Sequence, residues 1–315
     1  MLRHSSATPL DAIAVGEGGR IALAASSLTG NTWDGAVLLL ADESTATLLP
    51  MEAGVAAVAW LGPEFLAAGD DEGKLTIWEL PDHAVGTPPP PLLELCEHTA
   101  LIASLSASRG GARRVASASA DGTARVWSVV QGLDASSHIL AHTSARASWC
   151  DCLVHAVKWL PEPESIATAA SDGVVRLWDL RAAQPLVGRS PATDAALLAL
   201  DVDASQLCVG CEAGRVIQFD RRNLAKSLVE AQVHQGAVTS LQLSSDTSSG
   251  RTLLASTSAD HTAAVVDARS LCEVARFTQH SDFVSSAAWV ASAVPGGYSL
   301  LTAGWDKQLL RHDFQ

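Results

Sequence analysis

No stretch of this sequence approaches the ~18 uninterrupted apolar residues of a membrane-spanning helix. The N-terminal "MLRHSSATPLDAIAVG" has no apolar block of the secretory kind. A soluble intracellular protein is expected. Basic charge is also short: 21 Lys and Arg stand against 34 Asp and Glu, a formal net charge of −13. That deficit argues against a nucleic-acid phosphate partner and is compatible with basic partners, although acidity also serves solubility by itself. The six cysteines, Cys96, Cys150, Cys152, Cys208, Cys211 and Cys272, are scattered through a long chain. They are expected to be reduced core thiols rather than a disulfide frame. No long segment carries a helical period. The chain is nevertheless 48% hydrophobic and 17% charged, enough to bury a substantial core and to exclude disorder for most of its length.

The apolar residues are organised as a repeat. "GDDEGKLTIWEL" (69–80), "SASADGTARVWSV" (117–129) and "TAASDGVVRLWDL" (168–180) share a small-residue strand, an acidic turn ending in Gly and an alternating strand closed by Trp. Weaker copies are "CVGCEAGRVIQFD" (208–220), "ASTSADHTAAVVDA" (255–268) and "LTAGWDKQLLRHDF" (301–314). Taking Gly35, Gly73, Gly122, Gly173, Gly214, His261 and Lys307 as the turn positions, the spacings are 38, 49, 51, 41, 47 and 46 residues. Seven units of hairpin chemistry without helices predict an all-β, seven-bladed β-propeller with four-stranded antiparallel blades over residues 1–315, as one domain. The "PDHAVGTPPPPLLELCEH" segment carries Pro88 to Pro91, which cannot donate to a ladder. Residues 81–97 are therefore expected to form a proline-rich excursion between blades two and three; a ligand for a proline-binding module is the alternative. The last unit lacks an outer strand, which residues 1–10 are expected to supply.

These motifs resemble the WD-repeat family over nearly the whole chain. The resemblance implies that a His, a strand Ser or Thr, the turn Asp and the Trp form a buried chain that pins a blade, since a buried carboxylate must be paired. Its members would be His98, Ser117 or Ser119, Asp121 and Trp127 in blade three. Blade four would use His142 or His155 with Asp172 and Trp178, blade six His234 with Asp260, and blade seven His280 with Asp306. Blade five has no such His, and blade six has Val266 where the Trp would stand, so these two are expected to be looser or held by packing alone.

Catalytic chemistry is not indicated. Cys208 and Cys211 form a C-x-x-C without a second ligand pair at zinc spacing, which favours structural thiols. Cys150, Cys152 and His155 evoke a nucleophile and base, but nothing orients the base. No phosphate-cradling loop opens a helix. A non-enzymatic role without metal or cofactor is expected, carried by loops on a rigid disc.

A closer resemblance rests on "ASSLTGNTWDGAVLLL" (25–40), "MEAGVAAVAWLG" (51–62), "LTIWEL" (75–80), "HSDFVSSAAW" (280–289) and "LLTAGWDKQLLRH" (300–312). Together they look like the WD-repeat subunits of the methylosome, which bind the type II protein arginine methyltransferase. The resemblance implies a non-catalytic cofactor in a hetero-octamer of four enzymes and four propellers, found in cytoplasm and nucleus. It also implies Arg/Gly-rich substrates such as Sm proteins and histone tails. By position, Trp33 would anchor the contact from a polar hairpin loop, flanked by Ser27, Leu28, Thr29, Asn31 and Asp34. Two other roles stay open: a substrate receptor of a cullin-type ubiquitin ligase, through Trp178, Asp179 and Arg181 in "LWDLR", and a generic WD-repeat scaffold.

Overall fold

A computed structural model describes residues 3–29, 32–40, 46–80, 88–108, 113–129, 136–142, 152–244, 252–292 and 297–314. The chain forms seven four-stranded antiparallel sheets, each the blade of a β-propeller. Among the described residues the only helical turn is the 3₁₀ segment Glu17–Gly19. The inner strands are Leu10–Val15, Val55–Trp60, Ile102–Ala107, Val154–Trp159, Leu197–Val202, Val238–Leu243 and Val284–Val290. The pairing register of every inner strand shifts by one near its start, leaving Asp11, Ala56, Ala103, His155, Leu198, Thr239 and Ser285 as bulge residues. A bulge bends its strand and increases local twist. All seven stand at the end of the disc that carries the turns between second and third strands, here called the upper face.

Apolar residues on both sides of each sheet bury against the neighbouring blades. Leu75 and Ile77 of blade two pack with Val115 and Trp127 of blade three; Leu10 and Leu23 of blade one pack with Leu301 and Leu309 of blade seven. Fully buried alanines such as Ala22, Ala24, Ala67, Ala116 and Ala167 let the second strands approach closely. Inner-strand tryptophans latch blades together. Trp60 donates to the carbonyl of Ala14 in blade one (3.2 Å), and Trp289 to that of Gln242 in blade six (2.9 Å).

The ring closes through a short strand, Arg3–Ser5, paired antiparallel with Gln308–Phe314. Among the described residues of 1–10 these three contribute, and Leu10 already begins blade one. Residues 81–87 of the expected excursion lie outside the described residues. Its later part is not an excursion: Leu93–Leu95 is the outer strand of blade two, with Leu95 buried and paired to Leu75. Pro88 to Pro91 precede it outside any strand. Gly35 is likewise not a turn residue. It sits in the third strand of blade one, opposite Ser26 and Met51, because that hairpin runs on past the point where the others turn.

Blade three carries the complete hydrogen-bonded ladder. Trp127 Nε1 donates to Ser117 Oγ (2.8 Å), which lies 2.8 Å from His98 Nε2; His98 Nδ1 lies 2.7 Å from Asp121. A neutral imidazole gives every hydrogen of this ladder an acceptor: indole N–H to hydroxyl, hydroxyl to Nε2, Nδ1–H to carboxylate. Burial opposes ionisation of Asp121, but bonds from His98 and Thr123 prevail and hold its carboxyl far below the usual range.

The other ladders are variants. In blade four Trp178 and His142 meet at Thr168 (2.8 and 3.1 Å), while Asp172 is taken by Arg176 at 2.5 Å, so His142 does not reach it. His155 is the inner-strand bulge residue and takes no part. Blade six keeps His234 between Ser256 (2.9 Å) and Asp260 (3.1 Å) despite Val266, so it is not held by packing alone. In blade seven His280 bridges Thr302 (2.8 Å) and Asp306 (2.9 Å), and His312 occupies the indole's place, 2.8 Å from Thr302. Blade five substitutes a buried Gln206–Gln218 amide pair.

Candidate partner-docking face

The hairpin of blade one is the irregular feature of the upper face. In blade three the ladder between second and third strands ends at Ala118 opposite Ala124. In blade one the equivalent pair, Ala24 and Val37, is followed by further pairs up to Thr29 opposite Thr32. The extra length projects from the disc as a two-stranded finger. Trp33 is therefore a strand residue, paired with Leu28, and not part of the polar loop expected from its neighbours. Thr and Trp are good strand formers, which suits them to the ladder that runs out to Thr29 opposite Thr32.

The finger leans on blade two because two glycines allow it. A Cβ on Gly35 would lie 2.2 Å from the carbonyl oxygen of Ala53, and one on Gly54 would lie 2.0 Å from Trp33 Nε1. The indole rests on Gly54 and hydrogen-bonds the Asp71 side chain, yet Trp33 remains 43% exposed. Successive strand residues point to opposite sides. Ser27 and exposed Asp34 accordingly line a separate cavity of about 340 Å³ with His4 and Leu48, away from the indole. The backbones of Leu28 and Thr29 lie in the finger. Asn31 lies outside the described residues.

A second aromatic group stands on blades six and seven. Trp305 (45% exposed) and Phe283 (39% exposed) pack at 5.5 Å between ring centres, and His261 lies 5.7 Å from Phe283. Trp305 Nε1 donates to Asp11 Oδ1 at 3.0 Å. Each exposed indole is thus held by a carboxylate, Trp33 by Asp71 and Trp305 by Asp11, and those carboxylates repel one another. Burial raises the Asp11 carboxyl to about 6 despite bonds from Ser26 and Trp305, and also raises Asp71. The result is one strip of aromatic rings and carboxylates across blades two, one, seven and six. Phe283, Trp305, Asp11 and Asp71 were not singled out by sequence reasoning. The signal available was an aromatic in a turn otherwise built of small polar residues, as in "GWDK".

The described cysteines are all free thiols, but Cys96 and Cys272 are exposed rather than in the core as expected, because each lies at the surface next to or outside a strand. Cys208 and Cys211 are fully buried. Burial raises both thiols, Cys211 to about 11, so neither is a ready thiolate. Cys150 lies outside the described residues; Cys152 is buried with a raised thiol beside Asp172. Among the described residues no group of three or more His, Cys, Asp or Glu is placed to hold a metal ion. Arg181 on the opposite face is exposed, with its guanidinium engaged by Asp179 through Nε (2.9 Å) and a terminal nitrogen (2.8 Å).

Comparison with known proteins adds a family context. A family model described as WD domain, G-beta repeat, matches residues 90–128 and 140–179. The sequence is 30% identical over 318 residues to the methylosome protein WDR77 of Xenopus laevis, covering 93% of this chain and 86% of that protein. It is 24% identical over 246 residues to the peroxisomal targeting signal 2 receptor of Schizosaccharomyces pombe, covering 76% of this chain and 72% of the receptor. A match to the coronin-like protein crn1 of the same yeast, 28% identical over 127 residues, covers 39% of this chain and 20% of that protein.

Proposed function

The chain belongs to the family of the methylosome WD-repeat protein WDR77, and on that premise we propose that it is a non-catalytic adaptor of a type II protein arginine methyltransferase. The observation that carries this reading is Trp33, an indole held half exposed on a finger that no other blade possesses. Interface anchors are typically Trp, Tyr or Arg, seated in a partner's pocket and ringed by contacts that exclude water. Phe283 and Trp305 extend the apolar area, while Asp11, Asp71 and Asp34 favour a partner surface carrying basic groups. The net charge of −13 would draw Arg/Gly-rich substrates such as Sm proteins and histone tails toward the enzyme. Assembly as a hetero-octamer, and action in both cytoplasm and nucleus, complete the proposal.

Binding of purified methyltransferase to the wild-type propeller and to Trp33→Ala tests it. The substitution should weaken binding by on the order of 2 kcal/mol, roughly thirtyfold, with an unchanged thermal transition. Equal affinity of the two proteins would remove Trp33 as the anchor. Loss instead on Arg181→Ala, with a ubiquitin-ligase adaptor as ligand, would move the protein to a different role.

A further inference from the structure

An exposed anchor is useful only if its ring is already where the partner needs it. Freezing a free side chain on docking costs conformational entropy that an already ordered ring does not lose. The strand register fixes the backbone of Trp33 through its pairing with Leu28, but pairing does not fix the side-chain torsions. Those are set by what the ring touches, and both contacts come from blade two.

The structure assigns Asp71 as the positioning residue of Trp33, acting with Gly54 to hold the indole in one orientation before any partner arrives. Asp71 is the first residue of its turn, and its backbone N–H donates to the carbonyl of Gly54 at 2.9 Å. The same bond recurs in other blades, from Ala120 to Leu101 and from Trp305 to Phe283, so it belongs to the frame of the fold. The frame therefore places the Asp71 carboxylate beside the glycine on which the indole lies. A Cβ on Gly54 would meet Trp33 Nε1 at 2.0 Å and Asp71 Oδ2 at 2.3 Å, so the three groups converge on one spot. The carboxylate accepts the indole N–H, and the bare backbone of Gly54 supplies the floor. The opposite arrangement occurs in blade seven, where the residue equivalent to Asp71 is itself the aromatic, Trp305, and its acceptor Asp11 comes from the neighbouring blade. Two different arrangements on this face thus each hold one exposed indole by one carboxylate.

This inference rests on the docking role of Trp33, and two measurements keep them separable. The first needs no partner. Full-length protein labelled with 5-fluorotryptophan gives one fluorine resonance assignable to Trp33 by its disappearance in Trp33→Phe. Asp71→Leu, which keeps the shape and removes the acceptor, should move that resonance toward the solvent-exposed position and leave those of Trp60 and Trp289 in place. Asp71→Asn, which retains an oxygen acceptor, should leave it near the wild-type position. Gly54→Ala should displace it further. The second measurement is methyltransferase affinity: Asp71→Leu should lose about tenfold and Asp71→Asn less than about threefold. An unmoved resonance in Asp71→Leu overturns the positioning role, whatever the affinities. A moved resonance with affinity indifferent to both Asp71→Leu and Trp33→Ala supports the positioning role and overturns the docking reading.

Discussion

Two turns show how much a single backbone torsion matters. Gly73, Gly122, Gly173 and Gly214 occupy the left-handed region at the corresponding turn position, with φ between 76° and 90°. Blades six and seven keep that geometry without glycine: His261 has φ of 67° and Lys307 of 66°. A side chain there costs roughly 1–2 kcal/mol, while glycine adds about 0.5–1 kcal/mol of unfolded-chain entropy. Lys307→Gly should therefore stabilise the protein by up to about 1 kcal/mol, measurable as a higher denaturation midpoint with an unchanged denaturant slope. The same substitution at His261 would also remove its contact with Phe283, which makes Lys307 the cleaner position. At this scale sequence and structure agree where an Asp-Gly turn is followed by a strand. They part at Gly35 and Trp33, because turn-forming residues adjoin a register that pairing extends on either side.

At the scale of the blade, the ladder tolerates replacement provided that each buried donor finds an acceptor. Trp127 and Trp178 follow the pattern; His312 does not, and burial together with His280 lowers it to about 4. The unfolded chain takes up a proton near pH 6.5, whereas folded His312 stays neutral until about 4. Its contribution is complete above pH 6.5 and is lost as pH falls through that window. His142, lowered to about 3 by burial, acts in the same direction, and Asp11, raised to about 6, acts in the opposite one. Comparison with His312→Gln isolates the residue: wild type should lose up to about 3 kcal/mol more than the variant between pH 6.5 and 4 in urea titrations. A parallel pair of curves would show that His312 titrates freely. The repeats were legible because period-two alternation, Asp-Gly turns and terminal Trp residues are local. His312 in the Trp position, Arg176 in the place of His142 and the Gln206–Gln218 pair were not, since each depends on a partner from another strand.

Across the whole molecule the blades are joined by apolar packing and by ion pairs on the lower face. Arg113 pairs with Glu64, Arg114 with Glu164 and Arg221 with Glu162, linking blades two to five. In the candidate docking strip, the sequence indicated Trp33, while Phe283, Trp305, Asp11 and Asp71 emerged only from the ring geometry that brings blades six, seven, one and two side by side. Residues hundreds of positions apart meet there, and no local pattern encodes that meeting.

Blade seven is unlike the other six, because its outer strand, Arg3–Ser5, lies at the opposite end of the sequence from its three other strands and runs on directly into blade one. Those three strand residues close the ring, helped by Ser285 donating to Leu10 (2.6 Å) and Trp305 to Asp11. The ring is thus a bracelet with one clasp, and the aromatic strip straddles the clasp. A partner bound to Trp33 and Trp305 together would hold the bracelet shut, so unfolding would require release of the partner first. The complex should then resist opening for far longer than the free propeller, visible as slowed hydrogen exchange in the Gln308–Phe314 strand rather than in blades three and four.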